Sequence, residues 1–137
     1  MATARKSGST TMRTEDNRAL GGSVERMALA ELSKRGWWCH LMAQGAQGQP
    51  CDIVALKDGK GMLLDAKRCQ GTRFPLSRVE PNQRACFLLA ESRGNHELGL
   101  IVWFEPLQQF RLISWQAIKE ANEAGRASIS AEEASPL

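Results

Sequence analysis

No stretch of this chain is apolar for the roughly 20 residues that a membrane-spanning helix needs, and no charged, apolar and small-residue succession of the secretory kind opens it. The expectation is a cytoplasmic protein with no membrane partner. Cysteine is sparse and wrongly spaced for a zinc knuckle, because Cys39, Cys51, Cys69 and Cys86 form no C-x-x-C pair. Reduced, half-buried thiols are the simplest reading. Histidine is scarcer still, and a lone His40 in a strand-like stretch is more often structural than a ligand. There is no internal repeat. With 137 residues, 42% of them hydrophobic, the chain is long enough for one domain with a real core and too short for two.

The net charge of +3 says little until it is placed. Residues 1–22 carry four basic and two acidic side chains, whereas residues 120–137 carry one basic and four acidic ones. The domain organisation that follows is a flexible basic arm over 1–21, a folded domain over 22–124 and a flexible acidic tail over 125–137. Inside the folded part, Lys67, Arg68, Arg73, Arg78 and Arg84 lie close in sequence.

Those basic residues follow the most informative stretch, Pro50 to Lys67. Two short apolar runs flank Asp58-Gly59, a dipeptide that favours a two-residue hairpin turn because both central residues need positive φ. In that register Lys57 pairs with Lys60, Ala55 with Met62, Val54 with Leu63, and Asp52 with Asp65. Two carboxylates then stand opposite each other, with Cα atoms roughly 4.5–5.5 Å apart. Like charges in that position destabilise a sheet, and a hard divalent cation between them reverses the cost. Lys67 falls on the same face as Asp65 by the period-two rule. A basic rim beside an acidic centre suits a polyanion whose phosphate is worked on by a metal.

Around the hairpin, Ser23 reads as the N-cap of a helix stopped by Gly36. At about 100° per residue, Val24, Ala28, Leu29 and Leu32 fill one arc, and Glu25 lies inside it. Trp37 to Met42 reads as a strand, and residues 43–50 as a Gly- and Gln-rich loop bordering the acid pair. After a connection over 70–79, Pro81 opens a second helix that Gly94 ends. Gln83 starts its apolar face. Leu98 to Phe104 is a strand covered on both sides, Gln109 to Ile113 another, and Ser114 caps a third helix through about Ala124. The second helix is a crossover that makes the strand at Leu98 parallel to the one ending near Cys69. The fold class is α/β: a mixed sheet of about five strands with flanking helices.

Glu25 on a first helix, Pro50-Cys51-Asp52 and Asp65-Ala66-Lys67 resemble the motifs of the PD-(D/E)xK nuclease superfamily. Adding Leu64, Thr72-Arg73-Phe74-Pro75-Leu76, Gln83 and Gly99-Leu100-Ile101-Val102-Trp103-Phe104, residues 22–115 are similar to RecU-type Holliday junction resolvases, bacterial or phage-encoded. The chain departs from that family in having Asp65 where glutamate is usual, Asn82 where histidine is common, and no long insertion for a protruding stalk. The resemblance implies an αβββαβ restriction-endonuclease-like core that hydrolyses DNA to a 5′-phosphate and a 3′-hydroxyl. It further implies one or two Mg²⁺ or Mn²⁺ ions on Asp52, Asp65, the Ala66 carbonyl and Glu25. Catalytic roles fall to Glu25, Asp52, Asp65, Lys67 and Gln83, and DNA contacts to Arg68, Arg73, Arg78 and Arg84. The implied partners are branched or duplex DNA and a second copy of the chain, since two symmetric cuts suit a two-fold dimer. Two other readings stand beside it: a repair or restriction nuclease of the same superfamily, and a DNA-binding module without catalysis.

Overall fold

A computed structural model describes residues 13–43 and 51–137, with side chains in the first segment from Val24 onward. The hairpin forms around Asp58 and Gly59, whose φ angles are 51° and 81°. It joins β2 (Ile53–Lys57) to β3 (Lys60–Cys69), in a register running from Lys57↔Lys60 to Ile53↔Leu64. β1 (Trp38–Leu41) lies antiparallel on the outer side of β2.

β5 (Leu98–Phe104) runs parallel to β3 on its other side, and the connection between them contains α2 (Pro81–Ser92). β6 (Gln109–Ser114) returns antiparallel to β5. Their backbones come so close at Gly99 that a Cβ there would stand 2.2 Å from the Ile113 carbonyl oxygen, which only glycine avoids. The Ser114 hydroxyl accepts the Ala117 N–H at 3.0 Å and caps α3 (Trp115–Glu123).

Two apolar clusters sandwich the sheet. α1 lays Val24, Ala28 and Leu32 against Ile53, Ala55, Leu64 and Ile101. α2 and α3 lay Phe87, Trp115 and Ile118 against Leu98, Leu100, Val102 and Phe104. The outcome is a mixed α/β fold of the restriction-endonuclease-like kind.

Three sequence expectations change. First, α1 spans Arg13–Lys34, so the helix runs through Ser23 and the glycine pair instead of starting there. Once its second half is packed, extending the helix adds one hydrogen bond per residue, and a glycine costs only about 1 kcal/mol against alanine. The basic arm expected over 1–21 is therefore helical from Arg13, and its first 12 residues lie outside the described ones. Most of the Gly/Gln loop, residues 44–50, lies outside them too.

Second, the connection after β3 contains a short strand, β4 (Arg73–Pro75). Third, the tail expected to fray is structured. β7 (Ser128–Ser130) pairs with β4, and β8 (Ser135–Pro136) adds a sixth strand to the main sheet beside β6. Ile129, Ala131 and Ala134 are buried, and both Arg126 nitrogens Nη1 and Nη2 bind Glu133, at 2.5 and 2.7 Å. One isoleucine among small residues carries no periodic signal, so composition alone suggested disorder.

Replacing Ile129 by alanine removes a side chain that is 3% exposed between β4 and the core. The expected loss is about 2–5 kcal/mol in urea unfolding. A change below about 0.5 kcal/mol would mean the tail contributes nothing to the fold.

Candidate active site

The two aspartates meet where β2 breaks its alternation. Cys51 packs into the α2 and α3 side of the core and Ile53 into the α1 side, although residues two apart on a regular strand share a face. Between them the Asp52 N–H donates to the Leu64 carbonyl at 3.0 Å, and the Asp52 carbonyl accepts the Met42 N–H at 2.7 Å. The expected face-to-face pairing of Asp52 with Asp65 is therefore not a ladder pair: the ladder stops at Ile53↔Leu64. An irregular residue re-aims its side chain, as bulges beside active sites do.

β3 continues past that point. A strand residue's N–H and C=O point to the same edge, and the edge alternates along the chain. Leu64 faces β2, so Ala66 turns both its groups to the same side, where β2 has ended. The Asp52 Oδ2 fills the gap and accepts the Ala66 N–H at 2.8 Å. The Ala66 carbonyl opens on that edge as well.

Asp65 is 3% exposed, and Lys67 Nζ lies 3.1 Å from its Oδ2. Burial, then the charge of Asp52, pushes the Asp65 carboxyl up to about 7; Lys67 opposes both without cancelling them. Glu25, half-buried on α1, is also held above the usual carboxylate range, chiefly by burial and next by the charge of Asp52, to which its side chain hydrogen-bonds. The structure thus brings Glu25, Asp52, Asp65 and Lys67 together from α1, β2 and β3.

Glu25, Ala66 and Lys67 border a groove of about 640 Å³, which Arg73 and Arg78 also line. The four arginines expected to meet DNA divide. Arg73 reaches Ser128 Oγ with Nε at 2.9 Å, and Arg78 lies over the Phe74 ring while donating from Nη1 to the Arg68 carbonyl at 2.5 Å. Both are exposed on the groove wall. Arg68 lines the groove too, but it is paired with Glu105 at 2.5 Å and its Nε is buried without a hydrogen bond. Arg84 turns back instead, donating to the Val79 and Leu76 carbonyls at 3.2 and 3.0 Å. It holds the connection in place.

Gln83 likewise has a local task. Its Oε1 accepts the Glu80 N–H at 3.0 Å and completes a capping box at the start of α2. Ser128 and Glu105 bind the groove-lining Arg73 and Arg68, and neither carries a local sequence signal, since both act through partners more than 35 positions away.

Among the described residues, no three His, Cys, Asp or Glu side chains gather tightly enough to hold a metal unaided. The donor set still fits a hard cation: two adjacent carboxylates, one of them buried and disfavoured as an anion, and a backbone carbonyl opening on the same edge.

No family model and no curated protein matches this chain. Among solved structures, the Holliday junction resolvase Hjc of Archaeoglobus fulgidus matches over 82% of this chain and 91% of its own, with a TM-score of 0.60 and 23% sequence identity. The two proteins share a fold.

The Asp65 carboxyl sits near 7 in the folded protein against an ordinary value of 3.8. Between those values the unfolded chain gives up its proton first, so metal-free stability falls as pH rises from about 4 to 7 and then levels off. Asp65→Asn removes this slope. Urea midpoints measured with a chelator are expected to be higher for the variant at pH 8 and to converge near pH 4. A wild type that is the more stable at pH 8 would mean that Lys67 fully compensates the buried charge.

Proposed function

We propose that this chain is a divalent-metal-dependent DNA endonuclease that cuts branched DNA, four-way junctions above all, leaving a 5′-phosphate and a 3′-hydroxyl. The observation that carries the reading is the buried acid pair Asp52 and Asp65, with Lys67 on Asp65, beside a groove that Glu25, Lys67, Arg73 and Arg78 line. A purely structural site gains nothing from a buried carboxyl that its lysine does not fully compensate. The shared fold with a Holliday junction resolvase supports the choice of substrate, and the Thr72-to-Leu76 stretch supports the RecU-type variant of it.

Asp52, Asp65 and the Ala66 carbonyl would hold one or two Mg²⁺ or Mn²⁺ ions, with Glu25 reaching the site directly or through water. Bound there, the cation supplies Lewis acidity at the scissile phosphate and a water of lowered pKa. The protein does the rest. Asp65 stays ionised once its repulsion by Asp52 is relieved. Lys67, held beside Asp65, orients the attacking water and neutralises charge growing on the phosphate. Arg73 and Arg78 grip backbone phosphates and set the register of the strand in the groove. Two strands of like polarity must be cut in a junction, and a two-fold homodimer supplies two such sites.

The test separates binding from chemistry. Wild type, Asp65→Asn and Lys67→Ala are compared for junction binding in Ca²⁺ and for cleavage in Mg²⁺ or Mn²⁺, on junction, flap and duplex substrates. Both variants are expected to bind and to lose cleavage by at least about a hundredfold. A wild type that binds but cuts no substrate with either metal would make this a DNA-binding module of nuclease fold.

The groove wall gives a second expectation. Arg73→Ala and Arg78→Ala should each weaken binding and lower the slope of log affinity against log salt by up to about one unit. Arg84→Ala, whose side chain is bound to backbone, should leave that slope unchanged. Equal slopes in all three would move the DNA path off this wall.

A further inference from the structure

Two thiols meet one residue before Asp52. Cys51 Sγ lies 3.3 Å from Cys86 Sγ. Cys51 is 1% exposed and immediately precedes Asp52, whereas Cys86 is half-buried on α2 and reachable from outside. The other two cysteines are directed elsewhere: Cys39 Sγ to the Trp37 carbonyl at 3.8 Å and Cys69 Sγ to the Arg73 carbonyl at 3.3 Å. The cleavage chemistry proposed above uses none of the four.

We propose that Cys51 and Cys86 form a redox modification site, a dithiol that hydrogen peroxide or an organic hydroperoxide converts to an intramolecular disulfide, displacing Asp52 and slowing cleavage. The effect on cleavage rests on the nuclease reading; the thiol chemistry does not. The Cys86 thiolate attacks the peroxide, forming an S–O bond and breaking the O–O bond, and the departing oxygen leaves as hydroxide. The resulting sulfenic acid faces one sulfur, that of Cys51. Cys51 attacks the sulfenyl sulfur, an S–S bond forms, the S–O bond breaks, and the Cys51 proton leaves with the hydroxide as water. Two thiols lose two electrons in all, and one hydrogen peroxide is reduced to two waters. A dithiol reductant reverses the bond.

The mechanical consequence follows from contact. A disulfide needs its sulfurs at about 2.05 Å, so the chain at Cys51 or helix α2 must shift to close the gap. Interiors are packed too densely to absorb such a shift without passing it on. The next residue is Asp52, whose Oδ2 is held on the Ala66 N–H at 2.8 Å. A displacement of about 1 Å at a reacting group costs up to a hundredfold in rate.

The experiment uses the full chain, reduced and then exposed to graded hydrogen peroxide, with peptide mapping after alkylation and parallel cleavage of a junction in Mn²⁺. The expected result is one linked peptide pair joining Cys51 to Cys86. Cleavage should fall at least about tenfold and recover in dithiothreitol. Cys86→Ser should cut like reduced wild type and lose its sensitivity to peroxide, with Cys86→Ala and a melting curve as the check that folding is intact. Two results overturn the proposal: both cysteines remaining separately alkylatable or passing to sulfinic acid without linking, and equal loss of cleavage in wild type and Cys86→Ser. If the linked peptide forms while neither redox state cuts any DNA, the nuclease reading fails and the thiol site stands.

Discussion

Two carboxylates buried at the end of a short strand set the terms for the rest of this structure. Asp52 and Asp65 are 6% and 3% exposed, and Lys67 Nζ lies 3.1 Å from the Asp65 carboxylate. Taking such charges out of water costs several kcal/mol per ion unless partners repay it. Here the repayment is partial, and burial together with Asp52 still holds Asp65 far above its ordinary range. The large packed faces on both sides of the sheet, with Phe87, Phe104, Leu32 and Ile101 fully buried, supply the stability that lets this arrangement persist.

The same spot shows how backbone geometry makes a site. β3 has ten residues against five in β2, so its far half runs on past the end of β2, without a strand partner along that edge among the described residues. Ala66 and Arg68 both face the edge. The Ala66 N–H is taken by Asp52 and the Arg68 carbonyl by Arg78. Side chains thus finish the hydrogen bonding that a longer β2 would have supplied, and one of them, Arg78, lines the groove while doing so. Satisfying the backbone and assembling the site are here one operation.

The groove wall depends on residues distant in sequence. β4 holds Arg73 only because β7 pairs with it, and Arg84 pins the intervening turn from α2. The C-terminal segment, which composition alone marks as a solvated acidic tail, is thereby part of what holds the groove wall in place. Its acidic Glu133 is spent on Arg126 and the Ser130 hydroxyl and N–H.

What the sequence by itself determined is local. Asp58-Gly59 specifies the turn, and the turn specifies the register from Lys57 to Ile53. Pro81 and Gly94 bound α2, Ser114 caps α3, and the unbroken apolar run at Leu98 announces a strand covered on both faces. The convergence of Glu25, Asp52, Asp65 and Lys67 was legible because three of them lie on one hairpin and the fourth within an apolar helical arc. Only the tertiary structure decided the break of alternation at Asp52, since it depends on Cys51 being drawn to the far side of the sheet. It likewise decided which arginines face the groove, placed Gln83 in the capping box of α2, and ordered the tail around Ile129. Each of those outcomes is a competition between partners separated along the chain, and a linear pattern carries no term for which partner arrives.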